Sequence, residues 1–221
     1  AAIVLGTATA ALALWSTHQV RFDRAVIRAT AGPLARRGVR THYGVNVLGQ
    51  TPPMALPVVL AAVGRPVQAA AFGAAWQLTS IVGLVSPAVA TGLFARASAD
   101  RSTLARSTVA TRRQTLAIVA SAAAAMAVLA PALLRAIGAT YAAIGTTAVR
   151  ILCIGLIADA LTNIEVARLR TEERYRGAMA INAAILVVSV GGAATLASAW
   201  GASGAALAWT AGELLGAGVA L

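Results

Sequence analysis

Long apolar runs, joined by short connections that carry most of the charge, constrain this chain more than any other feature. A helix needs roughly 20 apolar residues to cross the hydrocarbon core of a bilayer. Seven runs reach or approach that length: 1–17, 43–63, 69–95, 114–134, 142–163, 178–199 and 203–221. They are rich in Ala and lack the period-two alternation of membrane-spanning strands. We therefore predict an all-α, polytopic transmembrane helix bundle of about seven spans.

Composition argues against the soluble classes. Of the 221 residues, 59% are hydrophobic and 11% are charged, whereas soluble domains have about 25% charged residues. The soluble alternative is a large, Ala-rich buried helical protein, and it would have too few polar side chains to cover its surface. The net charge of +11 lies in clusters between apolar runs, as the positive-inside rule requires. We expect no nucleic-acid partner.

Arginine positions predict the orientation of the spans. Fifteen of the eighteen arginines lie in the connections 18–41, 96–113 and 164–177, and the other connections hold only Arg65 and Arg135. Because cytoplasmic loops carry the excess of basic residues, we predict that the three rich connections are cytoplasmic and contact anionic lipids. The connection 18–41 forms either a short interfacial helix or a solvated basic linker.

No motif of catalysis, metal binding or disulfide bonding is present in the sequence. Cys153 is the single cysteine, and His18 and His42 flank one basic connection. There is no nucleotide-binding glycine loop and no Ser/His/Asp arrangement. We predict that the protein is not an enzyme and has no metal site and no cofactor.

Charged residues within the predicted spans indicate a cavity, because a lipid-facing charge is costly. Arg150 and Glu213 lie at similar depths, roughly 12–15 Å from the outer ends of their spans at 1.5 Å per residue. We predict that both face a central cavity, as an ion pair or as separate substrate and proton sites. The alternative is a buried pair that only holds helices together. Asp159 lies about 180° round its helix from Arg150, so one narrow cavity cannot easily contain both. The alternative to a cavity role for Asp159 is that it snorkels to cytoplasmic water or pairs with a loop arginine.

The second span carries a stripe of polar residues and prolines. Asn46, Gln50, Pro53 and Pro57 follow a 4-3-4 spacing on one helix face, and Pro52 is adjacent. Three prolines remove three backbone donors, which favours a broken helix beside other polar groups or water. Asn46 and Gln50 are cavity candidates. The three prolines are hinge candidates, with a static kink as the alternative.

Two tryptophans and two amides lie deep in other spans. Gln77 is a further cavity candidate near the middle of the third span, although a bond across helices is the commoner role for it and for Asn182. Trp76 and Trp209 lie about two turns inside their helices, away from the interfacial belts, and either face a cavity or pack in the core.

Several short segments, in their order and spacing, resemble polysaccharide-biosynthesis flippases. These are the O-antigen (Wzx-type) exporters of the multidrug/oligosaccharidyl-lipid/polysaccharide exporter superfamily. The segments are AAAFGAAWQ (69–77), SPAVA (86–90), LAP (129–131), GATY (138–141), RIL (150–152) and WGASGAALAW (200–209). The resemblance is to the C-terminal half of that family and covers residues from about 42 to the end.

The resemblance implies a two-lobed transporter of 12 or 14 spans around a central cavity. Residues 1–17 match the last helix of the first lobe, 18–41 the inter-lobe connection and 42–221 the second lobe. The chain begins at Ala1 and stops at Leu221 inside apolar runs, so we expect a fragment of a longer protein.

The resemblance also implies a function. Such a protein moves an undecaprenyl-diphosphate-linked oligosaccharide across the bacterial cytoplasmic membrane by alternating access, with Arg150 expected to meet the diphosphate. Glu213 is a candidate site for a coupling ion, H⁺ or Na⁺. The alternatives are a cation-coupled multidrug antiporter of the same superfamily and a non-transporting membrane scaffold for glycan assembly. A membrane-embedded enzyme would need a polar loop cluster, which the sequence lacks.

Overall fold

A computed structural model describes residues 33–86, 88–89 and 104–220. These residues form five helices and no strand, which confirms the all-α prediction for the described part of the chain. The helices are α1 (Pro33–Ala62), α2 (Pro66–Gly83), α3 (Leu104–Ile137), α4 (Ala139–Thr171) and α5 (Tyr175–Ala220). The chain divides into two units, 1–41 and 42–221. Of the first unit, only the opening residues of α1 are described.

The described helices are those of a membrane-embedded protein. Four segments are long and apolar enough to cross a membrane: His42–Ala62, Arg112–Ile137, Ala139–Thr171 and Tyr175–Val219. The predicted span 1–17 lies outside the described residues, and the predicted span 69–95 lies partly outside them. The prediction of about seven spans is therefore not confirmed.

Helix α5 consists of two antiparallel arms, 175–200 and 202–220, because the backbone reverses at Gly201. That residue has φ 56° and ψ −131°, which breaks the helix. A Cβ added at Gly192 would lie 3.3 Å from Cβ of Ala208, so positions on either side of the turn face each other. A straight helix of 46 residues would measure about 69 Å, more than twice the hydrocarbon thickness.

The connection between α1 and α2, together with the first turn of α2, caps both arms of α5 at this turn. Arg65 Nη2 donates to the carbonyl oxygen of Ser198 at 2.6 Å. The backbone N–H of Ala202 donates to Oε1 of Gln68 at 3.0 Å. A cation at the carbonyl end of one arm and an acceptor at the amide end of the other match the polarity of helix termini. This side of the bundle is called the capped end.

Helix α4 packs against α2, α3 and α5. Small residues allow close approach between helices in a membrane: a Cβ added at Gly155 would lie only 2.5 Å from Cζ3 of Trp209. The main core is dominated by aliphatic and small residues, and its largest buried members include Leu56, Phe72 and Leu152.

A smaller apolar cluster lies at the other side of the bundle. It comprises Val45, Val166, Leu169, Ala178, Ile181 and Ile185. The connection between α4 and α5 is on this side, and it is flanked by Arg168, Arg170, Arg174 and Arg176. This side is called the basic end.

The predicted break in the second span does not occur. Helix α1 continues from Pro33 to Ala62 with Pro52, Pro53 and Pro57 inside it. A proline removes one backbone hydrogen bond and bends a helix, but it need not end the helix where side chains pack around it. Pro52 is buried, which fits this explanation. A hinge at these prolines stays a prediction.

Candidate functional site

A cavity of about 540 Å³ lies between α1, α2, α4 and α5. Its lining comes from the halves of these helices that are nearer the basic end. Its polar lining comprises Asn46, Gln50, Gln77, Thr79, Ser80, Asp159, Thr162, Asn163, Arg170, Asn182 and Glu213. A polar cavity within a bundle of apolar helices is the usual setting for intramembrane charges.

Two carboxyl groups meet on one wall of the cavity. Glu213 on the second arm of α5 is 6% exposed, and its Oε2 has no hydrogen-bond partner. Asp159 on α4 lines the same cavity and interacts with Glu213 electrostatically. Thr162 also lines it, and its hydroxyl donates to the carbonyl oxygen of Ala158 at 3.1 Å. Two carboxyl groups that interact in a low-dielectric interior are costly as two negative charges, which favours a bound proton or another cation. The arrangement can therefore bind and release a cation.

Asn163 helps to shape this wall. Its Nδ2 donates to the backbone carbonyl oxygen of Asp159, one turn earlier, at 3.0 Å. The amide therefore stays on the helix face that carries Asp159, where its oxygen adds a neutral acceptor to the cavity lining.

Two tryptophans form an apolar wall of the same cavity. Trp76 on α2 and Trp209 on α5 meet edge to face, with ring centroids 5.0 Å apart. Phe72 stacks on Trp76 at 6.1 Å. Both tryptophans line the cavity and belong to the main core or pack against it. Each tryptophan therefore has both of the roles that the sequence left open: it lines the cavity and it packs in the core.

Arg170 lies where the cavity approaches the basic end. Its Nη1 donates to Oδ1 of Asn46 at 3.3 Å, and its Nη2 lies 3.0 Å from Nδ1 of His42. The hydroxyl of Tyr175 lies 3.1 Å from Nε2 of the same imidazole, and the two rings meet edge to face at 4.8 Å. Arg170 is thus held by two neutral groups of α1.

The nearby carboxylates are bound by a different arginine. Arg168 pairs with Glu165 and with Glu172, each at 2.6 Å. Among the described residues, no carboxylate pairs with Arg170. Its positive charge is therefore not paired with a carboxylate in the described part of the chain.

Most of the predicted site residues line this cavity. Asn46 and Gln50 of α1, Gln77 of α2 and Glu213 of α5 all do so. Of the three prolines, Pro53 lines the cavity.

Arg150 does not line the cavity, and the expectation that it shares one with Glu213 is corrected. Its side chain is exposed, with Nε 3.5 Å from the carbonyl oxygen of Ala127 on α3. Nine residues separate it from Asp159, which places the two on opposite sides of α4 at 100° per residue. Since Asp159 faces the cavity, Arg150 faces away.

The sequence prediction omitted Asp159, Asn163 and Arg170 from the site. Together with Val166 they follow a 4-3-4 spacing along α4 and share one helix face. The same spacing had identified the polar stripe on α1. The stripe was missed because Arg170 was assigned to a connection, whereas α4 continues to Thr171.

Comparison with known proteins identifies no relative: no protein-family model, no curated protein and no solved structure matches the chain.

Proposed function

We propose that this chain is part of a membrane exporter, with a second lobe formed by residues 42–221. The full-length protein of 12 or 14 spans moves an undecaprenyl-diphosphate-linked oligosaccharide from the inner to the outer leaflet of the bacterial cytoplasmic membrane. The polar cavity carries this proposal. Charged side chains inside an apolar bundle are expensive, and they occur where a substrate or an ion passes.

Arg170 takes the role in substrate binding that the sequence resemblance assigned to Arg150. It lines the cavity and no described carboxylate neutralises it. A guanidinium binds phosphate oxygens through two parallel hydrogen bonds, which suits a diphosphate. Asn46 and Gln50 add amide groups beside it for the sugar or phosphate oxygens.

The carboxyl groups of Asp159 and Glu213 bind the coupling ion, H⁺ or Na⁺. They lie deeper than Arg170, which is eleven residues and about 16 Å further along α4 than Asp159. Separate sites for cation and substrate in one cavity allow each to affect the other through movement of the walls. Alternating access then exposes the cavity to either side in turn.

The basic end faces the cytoplasm in this proposal. Arg168, Arg170, Arg174 and Arg176 lie at or beside the connection between α4 and α5, where anionic lipid headgroups can bind them. The cavity is therefore accessible from the leaflet in which the lipid-linked substrate is made.

A second candidate is a cation-coupled multidrug antiporter. The carboxyl pair and the aromatic wall of Trp76 and Trp209 favour it, because cationic aromatic compounds bind to carboxylates and ring faces. In that case Glu213 would bind drug and coupling ion in turn, and Arg170 would have no substrate role.

A complementation experiment separates the two. The full-length protein is expressed in cells that lack the native flippase for its glycan, and surface glycan and dye efflux are measured. We expect Arg170→Ala to lose glycan export at least about tenfold, as removal of a charge-assisted contact predicts. Arg150→Ala is the matched control and should keep export. Dye efflux without glycan export would overturn the flippase proposal.

A further inference from the structure

We infer that His42 controls Arg170 at the basic end of the cavity. Neutral His42 holds the guanidinium, and protonated His42 releases it to an anionic group in the cavity. The inference rests on the proposed function, in which Arg170 meets the substrate phosphate. It adds that substrate binding depends on the protonation state of one positioning residue.

The hydrogen-bond geometry permits only one form of the imidazole. The guanidinium of Arg170 has no acceptor, so its Nη2 must donate to Nδ1 of His42, 3.0 Å away. Nδ1 is therefore unprotonated, and the ring proton of neutral His42 is on Nε2. That N–H then donates to the hydroxyl oxygen of Tyr175 at 3.1 Å.

The neighbours of His42 stabilise this neutral form. Among the described side chains, the charged and titratable groups that face it are Arg170 from α4 and Tyr175 from α5. Among the described residues, no ion pair joins a carboxylate to His42 or to Arg170, and Glu165 and Glu172 are bound to Arg168.

Protonation at Nδ1 would abolish the contact. Two N–H donors would then point at each other, and two positive charges would be separated by about the length of one hydrogen bond, which is repulsive. Arg170 would keep only its bond to Asn46, which is the longer one at 3.3 Å. Since the guanidinium already lines the cavity, the freed donors would turn to an anionic ligand there.

The substitution His42→Gln tests the inference, because the Gln side chain is neutral and offers an acceptor to Arg170 at every pH. Binding of undecaprenyl diphosphate to the full-length protein in detergent is measured at about pH 5.5 and about pH 7.5, the range in which histidine titrates. The phosphates also titrate in this range. Dividing the wild-type affinity by the His42→Gln affinity at the same pH cancels the effect of phosphate titration, which is the same for both proteins.

We expect this ratio to rise about tenfold from the higher pH to the lower, the effect of one charge-assisted hydrogen bond. His18→Gln is the matched control and should behave as wild type. Inorganic diphosphate in place of the lipid shows whether the phosphates alone are recognised, and its ratio should change in the same direction. An unchanged ratio for both probes would overturn the inference.

A second measurement needs no substrate. Arg170 is modified with an arginine-selective dicarbonyl reagent and quantified by mass spectrometry of its peptide, in wild type and His42→Gln at both pH values. We expect the wild type to be more reactive than His42→Gln only at the lower pH. If that holds but the lipid does not bind, the His42 inference stands and the flippase proposal fails. Equal reactivity at both pH values would overturn the inference whatever the lipid does.

Discussion

Glu213, on the second arm of α5, lies close enough to Asp159 on α4 for their carboxyl groups to interact inside the bundle. The two residues belong to helices that are joined by a connection of only three residues, 172–174. The second arm of α5 runs parallel to α4, since a Cβ at Gly155 would contact Trp209 and a Cβ at Gly216 would approach Thr162. A cation between the two carboxyl groups would therefore be held by two helices that run in the same direction.

Neutralising one carboxyl should remove the response to an ion gradient. Glu213→Gln keeps the shape of the side chain but removes its negative charge. In the wild type, Oε2 of Glu213 has no hydrogen-bond partner. We expect gradient-driven transport in proteoliposomes to fall at least about tenfold, while thermal stability stays equal or rises because no charge is buried. The surface residue Glu172, in Glu172→Gln, is the control. Full gradient-driven transport by Glu213→Gln would contradict the coupling role.

The contact between Gly155 and Trp209 should not tolerate a methyl group. A Cβ at Gly155 would lie 2.5 Å from the indole ring and 2.8 Å from Oγ1 of Thr210. We expect Gly155→Ala to lower the free energy of unfolding by about 1–3 kcal/mol through overpacking. At Gly191 no atom lies within 4 Å of such a Cβ, so Gly191→Ala should be neutral or stabilising by up to about 1 kcal/mol. Unfolding of both variants in detergent measures the difference, and equal stability would disprove the close packing.

Gly201 should be required for the turn of α5. Its φ of 56° disfavours an L side chain, and a Cβ there would lie 2.5 Å from Oε1 of Gln68. We expect Gly201→Ala to cost about 1–3 kcal/mol. Gly73→Ala, which meets nothing within 4 Å, serves as the control.

A double-mutant cycle separates the two causes at Gly201. Gln68→Ala removes the side chain with which a Cβ at residue 201 would clash, and it also removes the acceptor that caps the N–H of Ala202. The effects of the two substitutions should therefore be non-additive. Strictly additive losses in unfolding free energy would show that Gln68 does not approach Gly201.

The prolines of α1 should lower the stability of the helix and allow it to bend. In the continuous helix each proline lacks one backbone hydrogen bond. We expect Pro52→Ala, Pro53→Ala and Pro57→Ala combined to raise the unfolding temperature and, if α1 bends during transport, to slow transport. Pro131, inside α3, is the control: Pro131→Ala should leave the transport rate unchanged. Normal transport in the triple variant would favour a static kink.

The helical class of the chain could be predicted from the sequence, but the register and rotation of one helix against another could not. Apolar runs and arginine counts predicted similar depths for Glu213 and Arg150. In the structure a Cβ at Gly216 would lie 3.1 Å from Oγ1 of Thr162, so Glu213 lies level with Asp159, about 13 Å along α4 from Arg150. Whether Arg150 or Asp159 faces a cavity depends on the neighbours that pack against each side of α4, and those contacts are tertiary. The 180° between Arg150 and Asp159 showed that only one of the two could face the cavity, yet it did not show which one.

The ends of the helices could not be predicted from the sequence either. The apolar run of the fifth predicted span ended at Asn163, where charged residues begin, yet α4 extends to Thr171. Ion pairs between residues three and four positions apart, such as Arg168 with Glu165 and Glu172, stabilise a helix in a polar environment. Hydropathy contains no signal for this extension, and Arg170 was therefore assigned to a connection.

The turn at Gly201 also has a consequence for how the protein enters the membrane. No charged residue lies between Arg176 and Glu213, so no charge separates the two predicted spans 178–199 and 203–221. We expect the two arms to insert as one hairpin, because small residues on either side of the turn face each other. A single backbone conformation thus determines on which side of the membrane everything after residue 201 is delivered.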